Sequence, residues 1–286
     1  MAIKKVAVIG AGLMGTGITQ VIAGAGFPVI WQDVSVQQLD NGMDRIEKVL
    51  SRQVSKQKIH NNHKVKTLNN ISITQELKAV SDVDLLIEAI PEDINLKQSI
   101  FSQVNKLVQP NCILVTNTSG LSITAIAAVT TCPQKVIGAH FFYPAPLMGL
   151  VEIIPGLATS KETVEEIGQF IKDIGKTPVH CYDYPGFIVN RLLIPLVNEA
   201  IFMVMEGNAP ETIDAAMRLG ANHPMGPITL ADYVGLDTLL ATMEGLYTGF
   251  KDPKYRPCPL LIKKVEAGHL GRKTGQGFYQ YDTNGN

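Results

Sequence analysis

Apolar residues in this chain fall first into short solid runs and later into helical stripes. The runs "KKVAVIG" (4–10), "PVIWQDV" (28–34), "VDLLIEAI" (83–90), "CILVTNTS" (112–119), "KVIGAHFF" (135–142), "GLVEIIPG" (149–156) and "TPVHCYD" (177–183) each have strand length, and several are rich in Val and Ile. Between the early runs, apolar spacing predicts helices over residues 13–25, 36–53, 94–108 and 123–130. Strand, helix and strand in repetition predict a parallel sheet with helices on both faces. One connection breaks the repetition. The stretch from "KVIGAH" to "LVEII" is shorter than the roughly dozen residues a parallel crossover needs, so Pro144, Pro146 and Gly149 are expected to turn the chain back and pair these two strands antiparallel.

After "YDYPGF" the pattern changes. The segment "FIVNRLLIPLVNEAIFMVMEG" (187–207) is apolar on nearly every face, as expected of a helix buried by its neighbours or by a partner subunit, and Pro195 is expected to kink it. Helical stripes follow over residues 209–219, 228–246 and 258–267, with few strand signals among them. The expected division is residues 1–184 as an α/β domain and residues 185–286 as an all-helical one.

Composition narrows the function more than the fold. A chain of 286 residues with 45% hydrophobic content can bury a substantial core. Its formal net charge of -1 argues against a globally basic nucleic-acid binder and points to a small-molecule ligand. Cys112, Cys132, Cys181 and Cys258 are widely spaced and form no C-x-x-C pair, which fits thiols in a reducing cytoplasm rather than a zinc ribbon or disulfide framework. The opening "MAIKKVAVIGAGLMG" resembles a secretion signal, but six glycines between Val6 and Phe27 would weaken such a helix. No uninterrupted apolar run reaches the roughly 18 residues a bilayer requires, so no membrane span is expected. His60 and His63, in the polar "HNNHK", lack a nearby third ligand and are expected in a solvated loop, with no metal site.

Candidate chemistry begins at "GAGLMG", where the first strand should turn into the first helix. Gly10 permits a tight turn, Gly12 lets backbone approach a pyrophosphate, and Gly15 lets the helix pack close to the strand; Ala11, Leu13 and Met14 complete the cofactor-binding stretch. A helix N-terminus there would face negative charge with its free N–H groups. The other reading is an ordinary glycine-rich turn, but the string follows a strand, opens a helix and precedes Asp33 at the end of the next strand, 23 residues after Gly10. A carboxylate at that point accepts from ribose hydroxyls and repels a 2'-phosphate, favouring NAD over NADP; alternatively Asp33 caps a turn.

Arg45, Lys48, Arg52 and Lys56 share roughly one face of the second helix, with Lys58 just beyond. Such a stripe is either a solvated face or an attractor of a polyphosphorylated carrier such as coenzyme A. His140 and Glu152 flank the predicted turn. Oxidation of a secondary alcohol with NAD needs a base for the hydroxyl proton, a role that suits a histidine, and a carboxylate on its other nitrogen would fix the tautomer. The alternative is a hydrogen-bonded core histidine. "NTSG", Asn117 to Gly120, follows a strand and precedes a helix, so it either caps that helix or brings Ser119 within reach of a substrate oxygen.

Seven blocks in order, "VAVIGAGLMGTGI", "LLIEAIPEDINLKQSIF", "NTSGLSIT", "GAHFFYPAPLMGLVEI", "YPGFIVNRLL", "HPMGPITLADYVGLD" and "GRKTGQGFYQY", resemble the L-3-hydroxyacyl-CoA dehydrogenase family over nearly the whole chain. The resemblance implies a Rossmann-type, mostly parallel sheet with antiparallel strands near its C-terminal end, followed by a helical domain that closes over substrate and forms a homodimer. It implies NAD-dependent interconversion of a 3-hydroxyacyl-CoA and a 3-oxoacyl-CoA, with His140 as base, Glu152 as its orienting partner, and Ser119 and Asn190 as substrate contacts. It further implies cofactor contacts from Glu92, Lys97, Asn117, Tyr143 and Lys273, and coenzyme A near Ser51 and Lys58. Two positions depart from the family motif: Tyr143 stands where asparagine is usual, and Gly149 where lysine is common. Both bear on acyl-chain preference. The nearest rival is a relative on the same fold that oxidises a free 3-hydroxy acid or sugar acid, although "HFF" after the strand and the basic stripe favour the phosphorylated carrier.

Overall fold

The computed structural model describes residues 3–281, and the chain divides into two compact units, Met1–Asp183 and Tyr184–Asn286. The first unit is built on one sheet. Its strands are β1 (Val6–Ile9), β2 (Val29–Gln32), β3 (Ile71–Thr74), β4 (Leu85–Glu88), β5 (Ile113–Thr116), β6 (Val136–Phe141), β7 (Leu150–Pro155) and β8 (Thr177–His180). They lie in the order β3-β2-β1-β4-β5-β6-β7-β8. The first six run parallel, β7 pairs antiparallel with β6, and β8 runs parallel to β7. Strand order reverses between β1 and β4, and such a switch opens a crevice at the carboxyl ends of the two strands.

Six α-helices accompany the sheet: α1 (Leu13–Gly24), α2 (Val36–Ser55), α3 (Asn61–Asn69), α4 (Ile94–Val104), α5 (Ile123–Ala127) and α6 (Lys161–Asp173). Ile18 and Ile22 of α1, Leu39 and Ile46 of α2, and Phe170 of α6 share one core with Val6, Val8, Ala139, Phe141, Val151 and Ile153 of the strands. Because neighbouring strand residues point to opposite faces, His140 and Glu152 project from the other side of the sheet. That alternation removes both polar side chains from the larger apolar core.

Three elements, α3, β3 and α6, are not among those predicted above. His60 occupies the N-cap position of α3 and His63 lies in its first turn, so the expected solvated loop is a helix. Its apolar signal is weak because Thr67 is its one buried residue among those described. Packing supplies what the pattern lacks: a Cβ at Gly24, the last residue of α1, would already lie 3.8 Å from both His63 Nε2 and Thr67 Oγ1. β3 is a four-residue edge strand, "ISIT", with no fully buried position.

The second unit contains α7 (Val189–Met205), α8 (Pro210–Gly220), α9 (Pro227–Val234), α10 (Leu236–Phe250) and α11 (Pro259–Glu266) around a core that includes Val197, Ile201, Ile228, Leu239, Met243 and Leu261. The single helix expected over 228–246 is two, parted at Gly235, whose φ of 100° favours glycine. α7 continues through Pro195 but buries one stripe; Leu192 is 71% exposed and Met203 and Met205 are also exposed, so all-round burial is not met within this chain. The last segment is tied down by two carboxylates. Asp232 accepts from Phe278 N, Tyr279 N and Tyr281 Oη, and Asp214 accepts from Tyr279 Oη. Among the described residues no helix is long and apolar enough to cross a membrane.

Candidate active site

The glycine string forms the turn from β1 into α1, at the switch point. Gly10 has φ 103°, and a Cβ there would lie 2.6 Å from the carbonyl oxygen of Ala89, just after β4. A Cβ on Gly15 would overlap Gly10 O, whereas one on Gly12 would meet nothing within 4 Å. Two glycines therefore permit close packing, and the third faces open space. Among the described residues no side chain caps α1 and no acid lies in its first turn, so the N–H groups that a helix leaves unpaired there suit an anionic ligand. Trp31, fully buried in β2, braces this turn by donating from Nε1 to Gly10 O at 3.0 Å; it is absent from the sequence expectations.

Asp33 follows β2. Its Oδ2 accepts from Ala11 N at 2.7 Å and its Oδ1 from Ser35 N at 2.8 Å, so the carboxylate does cap a turn as well as face the glycine loop. An ionised carboxylate offers about four acceptor positions, and the remaining ones suit ribose hydroxyls. These features fit a dinucleotide.

On the opposite side of the crevice stand the residues after β4 and β5. Glu92 Oε1 accepts from Thr118 Oγ1 at 2.6 Å, Ser119 N at 2.7 Å and Ser119 Oγ at 3.0 Å. Lys97 is fully buried; its ammonium donates to Glu88 Oε1 at 2.6 Å and lies 3.4 Å from Glu92 Oε2. Asn117 accepts from Phe141 N at 2.9 Å, bracing the end of β6 beside His140.

His140 and Glu152 sit directly opposite one another in the antiparallel register of β6 and β7. His140 Nδ1 and Glu152 Oε2 are 2.7 Å apart, and the two side chains are 8% and 1% exposed. A neutral imidazole facing a carboxylate carries its proton on Nδ1, which puts the lone pair on Nε2. The Phe142 ring packs against the imidazole, with centroids 4.3 Å apart. Cys181 lies in the same region, where burial and then the charges of Glu152 and Asp183 push its thiol up to about 12, keeping it protonated at neutral pH.

A lysine outside the sequence expectations holds the connecting turn. Lys176, after α6, donates to the carbonyls of Ala145 at 2.8 Å, Pro146 at 3.4 Å and Met148 at 2.7 Å, and burial lowers its pKa below that of an ordinary lysine. Tyr143 is 54% exposed at the start of this turn, and a Cβ on Gly149 would meet nothing within 4 Å. The signal for Lys176 is its position just after the left-handed Gly175, but nothing in the local pattern names its acceptors.

Arg45, Lys48, Arg52, Lys56 and Lys58 are all exposed. Ser51 accepts from Lys64 of α3 at 2.9 Å, and Lys64 also donates to Glu47 at 2.9 Å, which adds one cation to the stripe that spacing along α2 could not reveal. In the second unit, Asn190 lies in the first turn of α7 and Lys273 pairs with Asp237, at 2.6 Å from its Oδ2. Among the described residues no group of three His, Cys, Asp or Glu side chains stands together as a metal set.

A glycine cradle at the switch point of a mostly parallel sheet, with a histidine–carboxylate pair on an adjoining hairpin, defines a Rossmann-type NAD-linked dehydrogenase. The chain belongs to the 3-hydroxyacyl-CoA dehydrogenase family. Residues 5–184 match the family's NAD binding domain and residues 186–281 its C-terminal domain. The chain is 50% identical over 280 residues to 3-hydroxybutyryl-CoA dehydrogenase of Bradyrhizobium diazoefficiens, covering 98% of this chain and 96% of that protein. It is 47% identical over 279 residues to 3-hydroxybutyryl-CoA dehydrogenase of Clostridioides difficile, covering 97% and 99%. Among solved structures it resembles (S)-3-hydroxybutyryl-CoA dehydrogenase PaaH1 from Ralstonia eutropha with a TM-score of 0.96 and 44% identity, covering 99% of this chain and all of that one.

Proposed function

We propose that this protein interconverts a short-chain L-3-hydroxyacyl-CoA and the corresponding 3-oxoacyl-CoA, with 3-hydroxybutyryl-CoA and acetoacetyl-CoA as the substrate pair. The observation that carries the reading is the 2.7 Å contact between His140 Nδ1 and Glu152 Oε2. It leaves Nε2 as the basic nitrogen in oxidation and the acidic one in reduction. NAD, when bound, supplies the acceptor for the substrate hydride. Gly10, Ala11, Gly12, Leu13, Met14 and Gly15 would hold its pyrophosphate, and Asp33 its adenosine ribose. His140 takes the hydroxyl proton as hydride departs; Glu152 keeps the imidazole upright and stabilises the imidazolium that results. Ser119 orients the reacting oxygen, and the burial of His140 and Glu152 keeps bulk water from the proton-handling pair. Within the same reading, Asn190 is assigned to substrate, Glu92, Lys97, Asn117, Tyr143 and Lys273 to cofactor, and Ser51 with Lys58 to coenzyme A. The protein acts as a homodimer in a reducing cytoplasm, supported by the exposed apolar side chains of α7 and by four free cysteines.

The test is an NADH oxidation assay with acetoacetyl-CoA and free acetoacetate in parallel, repeated with NADPH. Turnover confined to acetoacetyl-CoA and preferring NADH is expected. Equal or better turnover of free acetoacetate would overturn the carrier, and a preference for NADPH would overturn the role given to Asp33.

A further inference from the structure

Glu88, at the carboxyl end of β4, has no part in the scheme above, yet its side chain is fully buried and both oxygens of its carboxylate accept hydrogen bonds. Oε1 accepts from Lys97 Nζ at 2.6 Å and Ile90 N at 2.8 Å, and Oε2 from Thr116 Oγ1 at 2.7 Å. Lys97 donates as well to Ile90 O at 3.3 Å and stands 3.4 Å from Glu92 Oε2. The other oxygen of Glu92 receives Thr118 and both the amide and hydroxyl of Ser119. A continuous chain of polar contacts thus runs from the buried end of β4 to Ser119.

Burying an ion pair is a poor route to stability, because desolvation cancels most of the attraction and an apolar pair of similar volume does as well. The asymmetry of the contacts suggests another use. Lys97 lies between two carboxylates, one buried and pinned by two further donors, the other 40% exposed. Its ammonium is held at the pinned one. Were Glu88 uncharged, the strongest attraction on Lys97 would come from Glu92, which would be drawn away from the serine.

We propose that Glu88 is a positioning residue for Ser119, holding the Lys97 ammonium back so that Glu92 can orient the serine hydroxyl. This rests on the assignment of Ser119 to substrate. The test is a double-mutant cycle on kcat/KM for acetoacetyl-CoA with Glu88→Gln and Ser119→Ala. Glutamine keeps one carbonyl oxygen to accept from Ile90 N, while its amide group can donate to the Thr116 hydroxyl, but it loses the charge facing Lys97. Expected is a loss of about 10-fold from Glu88→Gln alone, and no more than about 2-fold when Ser119 is already alanine, because two residues acting in series do not add. Equal losses in both backgrounds, or a Glu88→Gln variant with near-normal kcat/KM, would overturn the proposal.

A second variant covers the case in which Glu88→Gln does not fold. Thr116→Val removes one anchor of Glu88 while keeping its charge, and should cost about 3-fold with the same cancellation in the Ser119→Ala background. Additive losses there would again refute it. The cycle is read at saturating NADH, because Lys97 and Glu92 are also assigned to the cofactor; a loss of kcat/KM from Glu88→Gln that disappears as NADH is raised would mean that Glu88 serves the cofactor rather than the serine, and would overturn the proposal. If the wild-type enzyme does not turn over acetoacetyl-CoA, both this inference and the functional reading fail. An additive cycle in an active enzyme sinks only the inference.

Discussion

His140 illustrates how much one neighbour decides at the scale of a residue. A histidine alone has two ring nitrogens of similar character, and which one carries the proton follows from what the other nitrogen meets. Here Glu152 meets Nδ1. His140→Gln keeps a polar side chain of similar reach but has no group that can take a proton, so kcat should fall by about 100-fold or more while NADH affinity, measured by fluorescence, stays within about 2-fold. Near-normal turnover would remove His140 from the mechanism. Both members of the pair were legible in the sequence, since the two prolines and the glycine between them announced a turn. The supports were not. Trp31, Lys64 and Lys176 act on residues 21, 13 and 31 positions away, and Glu88 is anchored by Thr116, 28 positions away; no local spacing encodes such partners.

At the scale of elements, the strands with solid apolar runs were readable because burial on both faces leaves no room for polar residues. Of the three elements that escaped, β3 and α3 have little buried surface of their own, whereas α6 buries Ile167, Phe170 and Ile171, so lack of burial does not account for it. Gly235 shows the opposite limit: a single backbone conformation divides what apolar periodicity presents as one helix. The tail that follows α11 is held onto α9 by hydrogen bonds to Asp232, and one of them makes its stability depend on pH. Tyr281 donates to Asp232 at 3.0 Å; burial, then the charge of Asp232, push its phenol up to about 12 from an ordinary 10. The folded chain therefore binds more protons than the unfolded chain between those values. The contribution is present below about pH 10 and lost as pH rises toward 12. Melting temperature followed over that range should fall more steeply for the wild type than for Tyr281→Phe, and parallel curves would contradict this account.

For the whole molecule, the exposed apolar side chains of α7 carry the prediction that the protein sediments at twice the mass of one chain. Leu192→Lys places a charge where the proposed dimer needs an apolar surface, and should shift sedimentation toward one chain while leaving the circular dichroism of each unit unchanged. A monomeric wild type would remove the homodimer from the reading. The sequence alone determined the alternation of strands and helices, the dinucleotide turn, the antiparallel hairpin and the histidine–glutamate pair, because each depends on apolar periodicity or on a turn signalled by glycines and prolines. Tertiary structure alone decided which distant groups hold these parts in place: Trp31 beneath Gly10, Lys176 across the hairpin turn, Thr116 against Glu88. The physical reason is that a buried donor must find an acceptor in space, and its position along the chain does not say which one it finds.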